Sequence, residues 1–109
     1  MPRRFDLYDV ALTLIAALRP IVARLRQRDR EQALQLKKAA NSIIANVAEG
    51  SRRCGRDRLH CWNIAAGSAA EVRVQLEAAL AWGDLQHDLI RDALALLDRA
   101  LAMLWRMTH

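Results

Sequence analysis

Apolar residues return along this chain at alternating intervals of three and four, the spacing that lines one face of an α-helix. In the first segment Leu7, Ala11, Leu14, Leu18, Ile21 and Leu25 form such a seam. It predicts a helix from near Asp6, with Pro20 inside the pattern. A proline there removes one backbone hydrogen bond and crowds the carbonyl four residues back. Because the seam keeps register to Leu25, a kink near Ala16 is expected rather than a break. Residues 26–32, RQRDREQ, are polar and read as the first connection. A second helix follows from about Arg30 to Glu49, with the seam Ala33, Leu36, Ala40, Ile43, Ile44 and Val47. Gly50 reads as its left-handed terminus. Residues 50–57, GSRRCGRD, form the second connection, and Asp57 reads as the N-cap of the next helix.

The third helix is predicted from about Arg58 to Trp82, on Trp62, Ala65, Ala69, Val72, Leu76 and Ala79, with Gly83 ending it. Asp84 or Gln86 opens a fourth, whose seam is Ile90, Leu94, Leu97, Leu101 and Leu104. A second stripe adjoins it: Leu89, Ala93, Leu96, Ala100, Met103 and Met107. One stripe is enough for a helix in a small bundle, so the wide face predicts further burial against another subunit. Four helices with short connections predict an all-α fold, an antiparallel up-down-up-down four-helix bundle, oligomeric, with one domain over residues 1–109.

Polar positions add a second pattern. On a helical wheel Gln35, Ser42, Asn46 and Glu49 cluster within about 60°, roughly 120° from the seam of the second helix. Ser68, Glu71 and Gln75 flank the seam of the third. The two sets are expected to meet as a polar clasp that fixes register. The small residues of AAGSAA, 65–70, are expected to admit a close backbone there, offsetting the cost of Gly67 within a helix.

Composition agrees with helices: 109 residues, 53% apolar, with four Gly and two Pro. Charge changes the picture more. The net charge is +5, and through Arg58 there are 13 Lys/Arg against 6 Asp/Glu, while the remainder carries 4 against 6. A basic first half points to a polyanion or to complementary subunits. The candidate phosphate-binding residues are Arg52, Arg53, Arg56 and Arg58 around Gly55, then Lys37 and Lys38. Arginine offers phosphate a planar fork of donors, and such contacts give affinity without base choice. No helix-turn-helix, zinc-finger or RNP-type pattern is present to read bases. In the bundle the second connection belongs at one end, and Arg24, Arg26, Arg28 and Arg30 at the other.

Other chemistry finds little footing. Cys54 and Cys61 make no disulfide framework, and with His60 they do not complete a zinc ligand set. No metal or cofactor is expected. Glu49 and Glu71 lack a nucleophile, a phosphate loop or a positioning set, so no catalytic residues are assigned and no enzyme is expected. Arg3 and Arg4 before Val10–Leu18 imitate a signal peptide, but Asp6 and Asp9 interrupt it and no small-residue cleavage site follows. The stretch is too short to span a membrane, and a cytoplasmic protein is expected.

SIIANVAEGSRR followed by NIAAGSAAEVRVQLEAAL resembles the four-helix-bundle proteins related to the product of the 23S rRNA intervening sequence. Their pattern is approximately Q-x-R-R-A-x-x-S-I-x-x-N-I-A-E-G, then I-A-x-G-S-x-x-E-L. Gln35, Ala39, Ser42, Ile43, Asn46, Ala48, Glu49 and Gly50 fall on the first part, and Ile64, Ala65, Gly67, Ser68 and Glu71 on the second. Lys37 and Lys38 stand where the arginine pair is usual. The resemblance implies a ring-forming bundle, commonly a homopentamer, without a settled activity. A related branch, the accessory variability determinants of diversity-generating retroelements, works with a reverse transcriptase and binds nucleic acid through basic surfaces. Two functions follow as expectations: a homo-oligomer binding RNA or DNA non-specifically, or a protein-interaction scaffold docking a partner enzyme such as a reverse transcriptase.

Overall fold

A computed structural model describes residues 4–109 of the chain; Arg3 lies outside them. It has four helices: α1 (Arg4–Arg28), α2 (Arg30–Ser51), α3 (Gly55–Trp82) and α4 (His87–Thr108). No strand occurs among the described residues. Each helix packs on its neighbour in the chain, and α4 closes back onto α1, forming a four-helix bundle. Its long dimension of 42 Å matches the 28 residues of α3 at about 1.5 Å per residue.

The predicted seams of α1 and α3, and that of α2 apart from the half-buried Ile44, become the core. Leu7, Leu14, Ile21, Leu25, Leu36, Val47, Ala65, Ala69, Val72 and Leu76 lose all contact with solvent. α1 runs unbroken through Pro20, whose side of the helix faces solvent. Leu85, in the connection before α4, is also buried and plugs the core at that end.

Several boundaries differ from the sequence reading. Residues 26–32 are helical on both sides of Asp29, which forms the whole first connection. Its carboxylate accepts a hydrogen bond from the Gln32 backbone N–H at 3.0 Å and so caps α2. Gly50 does not terminate α2, because the helix continues to Ser51 and Arg52 closes it with right-handed dihedrals. The reason for a glycine is steric. A Cβ there would stand 2.4 Å from Trp62 Nε1 and 2.5 Å from its Cδ1. Nor does Asp57 cap α3, which starts at Gly55 after Cys54. Asp57 lies within the first turn, where a negative charge still suits the helix dipole. Gly83 does adopt the left-handed conformation, φ 80°, that ends α3.

In α4 the buried residues are Ile90, Ala93, Leu97, Ala100, Met103 and Leu104, drawn from both predicted stripes. The core line therefore runs between them. Leu94 and Leu101 are half-buried on one flank, Leu96 on the other, and Leu89 is exposed.

Gly67 is a further difference. It is exposed, and nothing lies within 4 Å of where its Cβ would be, so no backbone of this chain approaches it closely. Gly67→Ala should therefore stabilise the subunit by about 1 kcal/mol, the helix-propensity difference. A rise in the urea midpoint with unchanged slope would be the signature.

Candidate nucleic-acid interface

The end of α2 delivers Glu49, Arg52 and Arg53 to one corner, and the start of α3 adds Arg56 and Arg58. Three of these four arginines are already engaged. Arg52 Nη2 donates to Glu49 Oε1 at 2.6 Å, and Arg53 Nε donates to Oε2 of the same carboxylate at 2.8 Å. Arg58 Nε donates to the Gly50 carbonyl at 3.1 Å, and its guanidinium lies 5.5 Å from the Trp62 ring centroid. Arg58 thus satisfies one of the end carbonyls of α2 while covering the indole. Arg56 is exposed and makes no ion pair among the described residues.

Glu49 is held below the ordinary carboxylate range by its hydrogen bonds to Arg52 and then Arg53. The same contact raises Arg53. A depressed acid contributes stability above its unfolded pKa and loses it as the pH falls through the folded value. The corner should therefore stay locked at neutral pH and open only below the usual glutamate range. A pH series of Glu49 carboxyl chemical shifts would show a midpoint below that of the unfolded chain.

Lys37 and Lys38 do not form a pair in space. Lys37 lines a groove between α1 and α2 of about 550 Å³, with Arg19 and Arg26 on the rim and Leu12, Ile15, Val22 and Ala40 beneath. Lys38 lies beside α3, around a shallow depression shared with Gln35, Ser68 and Glu71. They are neighbours in sequence but about 100° apart around the helix. The sequence places Arg26 with Arg24, Arg28 and Arg30 at one end of the bundle and does not single out Arg19. Arg19 and Arg26 sit about one and three turns beyond Ile15 on the same flank of α1, a signal visible only once α2 is known to lie there.

The polar residues form two clusters. Ser68 Oγ donates to Ser42 Oγ at 2.7 Å, and Asn46 Nδ2 donates to the Ser42 carbonyl at 2.9 Å. Further along, Gln32 Nε2 donates to Gln75 Oε1 at 3.1 Å, and Gln75 Nε2 donates to Glu71 Oε1 at 3.0 Å. Gln32 takes the bridging place that the wheel suggested for Gln35, which is exposed. Glu49 does not reach α3, because its own helix end supplies two closer cations.

A model of the 23S rRNA-intervening sequence protein family matches residues 3–106, nearly the whole chain. The chain belongs to that family. Comparison with curated proteins and with solved structures found no match. The match shows that helix α4 through Arg106 is part of the family unit, although its sequence alone is generic. Among the described residues no helix is long and apolar enough to cross a membrane, and no three His, Cys, Asp or Glu gather as metal ligands.

Proposed function

We propose that this chain is a non-enzymatic, cytoplasmic homo-oligomer, a pentamer of antiparallel up-down-up-down bundles, that binds RNA or DNA through basic side chains without reading sequence. The antiparallel course rests on α2 and α3. Gln32 meets Gln75, Ser42 meets Ser68, and Gly50 meets Trp62, so one number rises as the other falls. Assembly would use apolar side chains left at the surface, among them Leu34, Val74 and Leu89.

The observation that carries the binding reading is a surplus of unneutralised cations. Arg19, Arg26, Arg30, Lys37, Lys38 and Arg56 are exposed and in no ion pair among the described residues. Repeated around an oligomer, weak phosphate contacts add through multivalency. Titration of a labelled RNA at rising salt tests this. Log affinity should fall linearly with log salt, at about 0.7 per phosphate contacted on a single strand. Binding indifferent to salt would refute the reading.

The groove between α1 and α2 favours a second reading, a scaffold for a partner enzyme such as a reverse transcriptase. Its apolar floor suits a protein side chain better than a phosphate. A stoichiometric protein complex that forms without nucleic acid and is lost in Leu12→Asp would select it.

A further inference from the structure

At the arginine corner one carboxylate faces two guanidinium groups. Each oxygen of Glu49 is taken by a different arginine, and all three side chains remain open to solvent, with 36% of Glu49, 74% of Arg52 and 49% of Arg53 exposed. The trio presents one net positive charge where the arginines alone would present two. Arg56, a few residues on, carries no such partner among the described residues.

We propose that Glu49 is the specificity-determining residue of this corner: it withholds Arg52 and Arg53 from small anions and yields them to a phosphate backbone. The proposal rests on the nucleic-acid reading above. A lone phosphate must displace a carboxylate tethered three and four residues away, at high effective concentration. It would replace two charge-assisted hydrogen bonds with two of the same kind, for no net gain. A polymer differs because its adjoining phosphates engage Arg56 and the cations of other subunits at the same time. Its phosphate then arrives at the trio as a tethered competitor too. The exchange swaps one anion for another, so it releases fewer counterions than two free arginines would.

Glu49→Gln keeps the shape and removes the charge. Its affinity for a labelled single-stranded RNA should rise about three- to tenfold, the scale of deleting one unit charge a few ångströms away in water. The salt slope should steepen by about 0.7, one further phosphate equivalent. Inorganic phosphate should begin to compete with RNA for the variant at concentrations that leave the wild type bound. Asp92→Asn, on α4, makes the same change in net charge and should alter affinity less than about twofold, since a distant exposed charge is screened. In an Arg52→Ala/Arg53→Ala background the Glu49 substitution should have no effect, which closes a double-mutant cycle. Circular dichroism of each variant checks the fold, and Glu49→Ala repeats the test should the glutamine find new partners. Equal gains from Glu49→Gln and Asp92→Asn, or a gain that persists without the two arginines, would overturn the proposal while leaving RNA binding intact. Undetectable or salt-independent binding by the wild type would instead remove the reading beneath it.

Discussion

Trp62→Ala should destabilise the subunit by about 3–5 kcal/mol, the range for truncating a buried tryptophan. Trp62 is 6% exposed and joins the continuous core, so its removal empties space that α2 and α3 cannot fully close. Its indole lies on the Gly50 backbone and beneath the Arg58 guanidinium, so the loss would also loosen the end of α2. The converse substitution tests the same contact. In Gly50→Ala the new methyl enters the indole, at separations real Cβ atoms do not show. Overpacking of this kind costs about 1–3 kcal/mol, against about 1 kcal/mol of helix propensity returned by alanine. In the Trp62→Ala background the clash vanishes, and Gly50→Ala should become neutral or stabilising. Chemical denaturation of the four proteins gives the coupling, and additive effects would show that the two residues do not meet.

Arg52→Ala/Arg53→Ala/Arg56→Ala should weaken RNA binding the most. Each subunit loses three cations, two of them the partners of Glu49, which then has nothing left to withhold. Losing two or three phosphate contacts per subunit should lower affinity on the order of a hundredfold at moderate salt, compounded with each further subunit that touches the same RNA. Arg58 is left in place because it supports the Gly50 carbonyl and the indole, and its removal would confuse a binding loss with a folding loss. Electrophoretic mobility of a labelled RNA, read beside the thermal melt of each protein, separates the two. Unchanged RNA retention by the triple variant would place binding elsewhere, with Arg19, Arg26 and Lys37 the next cations to test.

The helices were readable because burial imposes a strict 3–4 spacing, and Leu7 through Leu25 or Trp62 through Ala79 obey it without exception. Helix ends were less so. Gly50 looked like a terminus because glycine usually serves φ, and nothing in a linear sequence reveals that an indole twelve residues later lies against it. Asp29 was hidden among other polar residues although it alone forms the turn. In α4 two adjoining stripes were visible, but which line pointed inward depended on where α1 and α3 stood. The candidate site divided in the same way. A basic cluster at 52–58 is plain from composition, whereas its partial neutralisation by Glu49 depends on geometry at the last turn of α2. The basic rim of the α1–α2 groove needed two helices side by side before Arg19, Arg26 and Lys37 became one feature.

The proposed binding recognises phosphate charge rather than bases. The direct measurement is the affinity of the wild-type protein for two labelled RNAs of equal length and unrelated sequence, each taken through a salt series. The expected result is parallel salt slopes and affinities within about twofold, since backbone contacts carry no sequence information. A preference for one sequence of the order of 10³ or more, the discrimination shown by proteins that read bases, would contradict it.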